Sequence, residues 1–382
     1  MLQTIDLTRL KTLQQSVKGK YSHVVLLGMG GSSLAPEVLS ATFGPQEGFA
    51  PLLVLDSTDP ARVLQVQRAI DVPKTLFIVA SKSGTTIEIW SFFKHFWELT
   101  KHNGAQFIAI TDGGSALEQE ARANKFLDVF INPSDIGGRY SALSYFGMVP
   151  AALLGLDLDR LWTEAERMIA ACGENVPNPQ NPAIWLGAAI ATLALKGRDK
   201  LSILCGKSVA AFGDWVEQLI AESTGKEGKG IVPVVGSTVG KPHDYLSDRV
   251  FVYLKVDSDD NVAMDADVRA LREAGHPRVT IQLKDTYALA GEFFRWEFAT
   301  AVAGKILEST PLTNPTSPKA RTTPNACWII TRNRAVGSRR NLSSLRTASN
   351  CSPTKTRCVR CASLRPSTAT TVTASRDCWR HS

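Results

Sequence analysis

TLFIVASKSGTTIE, residues 75–88, changes character half-way along. Its first six residues, 75–80, are apolar or β-branched on both faces, the pattern of a strand covered on both sides in a parallel sheet. Directly after them Ser81, Ser83, Thr85 and Thr86 set four hydroxyls around Gly84, with Lys82 among them. The periodicity predicts a helix over 86–99, so these hydroxyls and the neighbouring backbone N–H groups converge on the positive end of a helix dipole. A single hydroxyl there is a helix cap. Four of them at the carboxyl end of a buried strand, where open α/β sheets take their ligands, read as a phosphate cradle.

Working outward, the same alternation of strand and helix continues on both sides. Residues 1–22 read as a helix and linker, and HVVLL (23–27) as a first buried strand ending in Gly28-Met29-Gly30-Gly31-Ser32-Ser33. That loop begins like a dinucleotide fingerprint but carries Ser33 where the third glycine belongs, which argues against a nicotinamide site. Its glycines let a ligand approach the backbone, and Ser32 adds a hydroxyl at the edge that holds the cradle. Further strands are predicted at 52–55, 106–111 and 126–131. Asp56 after the first of these serves as a helix cap or a grip on a ribose. The spacing predicts a doubly wound parallel sheet with right-handed crossovers.

A second α/β unit follows, with strands predicted at 201–205, 231–235, 249–256 and 278–283 and a long helix at 289–306. Two charged residues stand at suggestive places. Arg139, in IGGRYS (136–141), follows the pair Gly137-Gly138, so its guanidinium either reaches into a cleft to meet an oxyanion or phosphate or lies solvated on the surface. Glu222 lies where a helix gives way to the loop Ser223-Thr224-Gly225-Lys226-Glu227-Gly228-Lys229-Gly230. It is an ordinary helix-end carboxylate or a base projecting from a rigid element.

Charge and cysteine content bound the classes of function. The net charge of +7 comes from the end of the chain: residues 308–382 hold 13 Lys and Arg against two acidic residues, so residues 1–307 carry −4. A mildly acidic body argues against specific nucleic-acid binding, although a basic tail attracts phosphates nonspecifically. Five of the seven cysteines lie in that tail, which fits a reducing, cytoplasmic setting. No apolar stretch reaches the length of a membrane span, and the amino terminus lacks a signal-peptide pattern. Residues 308–382 are rich in Ser, Thr, Arg and Pro and are expected to be disordered. Cys358 and Cys361 form half a zinc knuckle with no convincing second half, so no metal is predicted.

GMGGSS (28–33), SKSGTT (81–86), IGGRYS (136–141) and ESTGKEGKG (222–230), in that order, together resemble the phosphoglucose isomerase family. GDWVEQLIAESTGKEGKGIVPV and GEFFRWEFATAVAGKIL are similar, more narrowly, to the isomerase half of fused transaldolase/glucose-6-phosphate isomerase proteins. The resemblance runs over 23–307. It implies the sugar-isomerase (SIS) fold of two doubly wound, three-layer domains, here 23–157 for the phosphosugar and 158–307 for the base, without the transaldolase barrel. It implies that Ser32, Ser81, Ser83 and Thr86 hold the substrate phosphate with the amides of Lys82, Gly84 and Thr85, and that Gly30, Gly31 and Gly138 line the substrate loops. Arg139 stabilises an enediolate on this reading. Glu222 moves a proton between C2 and C1 of glucose 6-phosphate, giving fructose 6-phosphate. Such chemistry asks for one carboxylate, one fixed cation and a remote phosphate anchor, and for no metal or redox cofactor.

The family also uses a histidine for ring opening, supplied by the neighbouring subunit of a homodimer. His243 sits where that residue belongs, although its surroundings depart from the family pattern, and His276 is the second candidate, otherwise a turn residue. After Leu307 the chain leaves the family, whose members continue with a sequence like GINPFDQPNV and a lysine that assists ring opening. A permitted codon set for residues 309–317, read one base earlier, encodes Ile-Asn-Pro-Phe-Asp-Gln-Pro-Asn-Val, so a shifted reading frame near Leu307 is expected. Two functional readings remain at this point: an isomerase, impaired by loss of that lysine, or a phosphosugar-binding protein without turnover.

Overall fold

The computed structural model describes residues 5–226 and 228–309, and the expectations for the tail beyond Ser309 lie outside them. The first sheet holds β1 (His23–Leu27), β2 (Leu52–Leu55), β3 (Thr75–Ala80), β4 (Phe107–Asp112) and β5 (Asp128–Asn132), in the order β2-β1-β3-β4-β5. Every pairing is parallel, with Leu27 opposite both Leu55 and Val79. The chain leaves β1 to one side for β2 and returns on the other for β3. The loops after β1 and β3 therefore diverge from one point of the carboxyl edge, the switch point where such sheets bind ligands.

Alternation along the strands decides the two faces. Leu76, Ile78 and Ala80 of β3 face one way, together with Val24 and Leu26 of β1. They pack beneath α1 (Leu7–Val17), α2 (Leu34–Phe43) and α6 (Tyr145–Leu153). Phe77 and Val79 face the other way, against Phe92, Phe93 and Phe96 of α4 (Ile87–Leu99) and Leu117 and Ala121 of α5 (Ala116–Ala123). Val66 of α3 (Pro60–Ala69) joins that second layer. Burial on both faces is what the unbroken apolar run of 75–80 demands.

The second sheet holds β6 (Lys200–Cys205), β7 (Val232–Val234), β8 (Arg249–Val256) and β9 (Arg278–Leu283), all parallel, in the order β7-β6-β8-β9. On its inner side lie α8 (Pro182–Leu195), α9 (Phe212–Thr224) and α11 (Leu289–Ile306), with α7 (Leu158–Ala171) packed on α11. On the outer side Val268 and Leu271 of α10 (Val262–Glu273) cover Leu204, Phe251 and Tyr253. The inner face of each sheet and the helices between them belong to one continuous core. Residue 157, the expected domain limit, is the cap of α7, its side chain accepting the Arg160 amide at 3.0 Å.

Two boundaries bear on the site. Helix α6 begins at Tyr145, because the Ser144 side chain caps it at the Phe146 amide and leaves 138–144 as a tight turn carrying Arg139. The sequence has a helix give way to loop at Glu222, whereas α9 runs on to Thr224, so Glu222 lies within its last turn. Beyond α11, Glu308 adopts φ 55° as the Ser309 amide folds back on the Gly304 carbonyl at 2.8 Å, a helix end more usually made with glycine.

Candidate active site

After β3 the chain turns sharply, and the turn is built from its own hydroxyls. Ser81 is buried, and its Oγ accepts the Gly84 amide at 3.2 Å and donates to Thr86 Oγ1 at 3.3 Å. Ser83 and Thr85 pair at 2.9 Å, and Ser83 Oγ accepts the Thr85 amide at 3.2 Å. Gly84 sits at φ +64°, where a Cβ would come within 2.8 Å of Ser115 Cβ, so glycine alone fits there. The Trp90 indole donates to the Gly84 carbonyl at 2.9 Å and clamps the turn to the helix it opens. Thr86 stands at the N-cap of α4 without a capping bond from its side chain. The first amides of a 13-residue helix therefore point at the hydroxyl cluster, an arrangement suited to a dianionic phosphate.

Lys82 lies within the cradle, but its ammonium turns away. It pairs with Asp112 at the end of β4 and donates to the Ser134 carbonyl at 2.8 Å. Its backbone amide belongs to the turn while its charge pins the turn to the loop leading toward Arg139.

The loop after β1 joins this cradle to the second cluster. Gly31 passes so close to the 138–139 backbone that a Cβ there would meet Gly138 C at 2.4 Å and Arg139 N at 2.8 Å. A Cβ on Gly30, at φ +54°, would meet the Gln218 amide nitrogen at 2.9 Å. Ser32 is buried in the same turn, and Ser33 returns its hydroxyl to the Gly30 carbonyl at 3.0 Å. Substrate loop, arginine turn and α9 thus abut one another.

Arg139 is 5% exposed and Glu222, on the last turn of α9, is the open partner. Arg139 Nη1 lies 3.5 Å from Glu222 Oε2, with the carboxylate side chain 38% exposed. Arg139 Nε donates to Ser223 Oγ at 2.7 Å, and that hydroxyl also bonds the buried Tyr140 hydroxyl at 2.9 Å. Burial outweighs the hydrogen bond from Ser223 and the neighbouring guanidinium and raises the Tyr140 phenol above its ordinary range, so it stays protonated. Gln218, one helical turn before Glu222, donates to Glu222 Oε1 at 2.9 Å. A rigid carboxylate, reachable from solvent and set beside a buried fixed cation, is competent to take a proton from carbon while the cation meets the charge that forms.

Gln218, Ser223 and Tyr140 join the site without having been singled out by sequence pattern. The i,i+4 spacing of Gln218 to Glu222 on a predicted helix is the available signal for the first. The histidines stand elsewhere: His243 is exposed beside Asp244, at 3.6 Å, and shares a cavity of ≈ 560 Å³ with His276 and Arg198. His276 bonds the Pro242 carbonyl at 3.0 Å. Neither Glu222 nor Arg139 lines that cavity. Among the described residues no cluster of His, Cys, Asp and Glu is arranged to hold a metal ion. No helix among them is long and apolar enough to cross a membrane.

Comparison with known proteins places this arrangement. A family model described as phosphoglucose isomerase matches residues 8–234, a span that holds the cradle, Arg139 and Glu222 and stops short of His243. The glucose-6-phosphate isomerase of Methanocaldococcus jannaschii is 31% identical over 232 residues, 59% of this chain and 56% of the relative. A hypothetical protein of Thermus thermophilus superposes with a TM-score of 0.74 at 22% identity, covering 82% of this chain and 85% of that one. A glucose-6-phosphate isomerase from Chlamydia trachomatis superposes at 0.67 and 21% identity, over 80% of this chain and 69% of that one. The chain spans about half the length of the curated relatives it matches. With its fold shared across those structures and the family match running through every element of the site, the chain belongs to the phosphoglucose isomerase family.

Proposed function

We propose that this protein interconverts glucose 6-phosphate and fructose 6-phosphate by proton transfer through a cis-enediol. The observation that carries the reading is the Glu222 carboxylate set 3.5 Å from the buried Arg139 guanidinium, on a turn packed against the glycine loop beside the hydroxyl cradle. The cradle of Ser32, Ser81, Ser83 and Thr86, with the amides of Lys82, Gly84 and Thr85, takes the phosphate and fixes the far end of the sugar. Gly30, Gly31 and Gly138 let the sugar chain run close to the backbone. Glu222 removes the proton from C2 and returns it to C1 on the same face. Arg139 meets the oxygen that gains charge, and Gln218 holds the carboxylate in line. The lobe of residues 23–157 supplies the anchor and that of 158–307 the base.

His243, exposed at 77% of its side chain, is assigned to ring opening in the site of a second copy, which makes the working unit a homodimer. The setting proposed is the cytoplasm, in glycolysis and gluconeogenesis. A coupled assay of fructose 6-phosphate formation tests the reading. Wild type turns over, and Glu222→Gln lowers kcat by about a thousandfold while glucose 6-phosphate still raises the melting temperature. Full turnover in Glu222→Gln would remove Glu222 as the base, and ligand stabilisation without turnover in wild type would leave a binding protein.

A further inference from the structure

Two consecutive residues of the arginine turn meet two consecutive residues of α9. Arg139 Nη1 stands 3.5 Å from Glu222 Oε2, and Arg139 Nε donates to Ser223 Oγ at 2.7 Å. The Tyr140 hydroxyl bonds the same Ser223 oxygen at 2.9 Å. These contacts differ in kind. An unhindered guanidinium–carboxylate pair closes to about 2.8 Å, so the gap to Glu222 is held open against the attraction of opposite charges, whereas the bond to Ser223 is fully made. Ser223 is 0% exposed, with the buried Leu219 and Ile220 one turn before it on the helix. Packing alone would be served by alanine, the better helix former. The support behind Ser223 is rigid: Thr224 Oγ1 donates to the Ile220 carbonyl at 2.9 Å and accepts the Ile231 amide at 3.0 Å, fastening the end of α9 to the approach of β7.

We propose that Ser223 is a positioning residue: its hydroxyl holds the Arg139 guanidinium back from Glu222, in the orientation from which it meets the enediolate. A guanidinium is planar and rigid, so a bond at Nε fixes where its Nη groups point. Gln218 holds the other end of the carboxylate, Oε1, at 2.9 Å. Cation and base are thus each tethered by a neighbour of their own. Without the Ser223 oxygen the two close into an ion pair. The carboxylate oxygen that should take a proton from carbon is then occupied, and the cation is turned from the oxygen that gains charge.

This inference rests on the isomerase reading, because only a proton transfer between C2 and C1 gives the gap its use. In the coupled assay Ser223→Ala lowers kcat by about tenfold or more with KM within about twofold of wild type, since the phosphate cradle is untouched. Calorimetric titration gives a second readout, with two ligands. One is glucitol 6-phosphate, uncharged except at its phosphate. The other is an aldonic acid phosphate whose carboxylate stands where the enediolate charge develops. Wild type prefers the aldonate; Ser223→Ala loses about tenfold or more of that preference with glucitol 6-phosphate binding unchanged. Circular dichroism shows whether Ser223→Ala folds. Where it does not, Ser223→Cys, of similar shape with a sulfur that accepts only weakly, shows the same two losses. An undiminished kcat, or an undiminished preference, in the folded variant overturns the inference alone. Wild type without turnover overturns the isomerase reading and the inference with it.

Discussion

Gly31 shows how a single residue sets the working distance of the site. Its missing Cβ leaves room for the backbone of the arginine turn, whose Gly138 carbonyl carbon would stand 2.4 Å from an added methyl. Backbone cannot yield as a flexible side chain can, so Gly31→Ala must push the Arg139 turn away from the loop after β1. A shift of about an ångström in a catalytic group costs on the order of a hundredfold in rate. The expected outcome for Gly31→Ala is a kcat/KM lowered by about that factor, with a fall in stability of about 1–3 kcal/mol, measured by the coupled assay and by urea unfolding. Wild-type kinetics in that variant would show that the contact does not set the geometry. The hydroxyls of Ser81, Ser83, Thr85 and Thr86 were legible from the chain alone because a cradle is made of consecutive residues. The bond between the Tyr140 and Ser223 hydroxyls was not, since it joins residues 83 apart along the chain.

At the scale of the element, α11 is the unusual helix, buried nearly all round yet carrying two acids in its interior. Glu292 is 1% exposed with Arg295 Nη2 at 3.2 Å, and burial pushes its carboxyl up to about 7. The folded carboxyl thus holds its proton more tightly than the unfolded one. Below about pH 4.5 both states are protonated and the group costs nothing. As pH rises to about 7 the unfolded chain releases a proton that the fold retains, and stability is lost, by about 3 kcal/mol once pH exceeds the folded value. Glu292→Gln is expected to flatten the fall in melting temperature between pH 5 and 7 relative to wild type. Equal slopes in the two proteins would show that Glu292 stays ionised in the fold. Helix α9 offers the complementary lesson: its run to Thr224 places Gln218, Glu222 and Ser223 on one rigid support, where the sequence reading begins a loop at Ser223.

On the scale of the whole molecule, the site lies where two sheets and the helices between them share one core, while His243 and His276 gather in a separate cavity at the amino end of β8 and β9. If His243 serves a second copy, two inactive variants repair each other. Mixed Glu222→Gln and His243→Ala chains, unfolded and refolded together, are expected to regain activity that neither has alone, because one site of the hybrid holds both wild-type residues; no recovery would confine His243 to another role. The sequence by itself determined the strands, their order of appearance and the hydroxyl-rich turn after β3, since buried parallel strands and helix-terminal hydroxyls are written in consecutive residues. It also marked Arg139 and Glu222 as candidates through their neighbours. Only the tertiary structure decided that these two meet at 3.5 Å and that Lys82 gives its charge to Asp112. Those contacts join residues far apart along the chain, and a pairing at such separation is set by how the sheets and helices pack, which no local pattern of residues records.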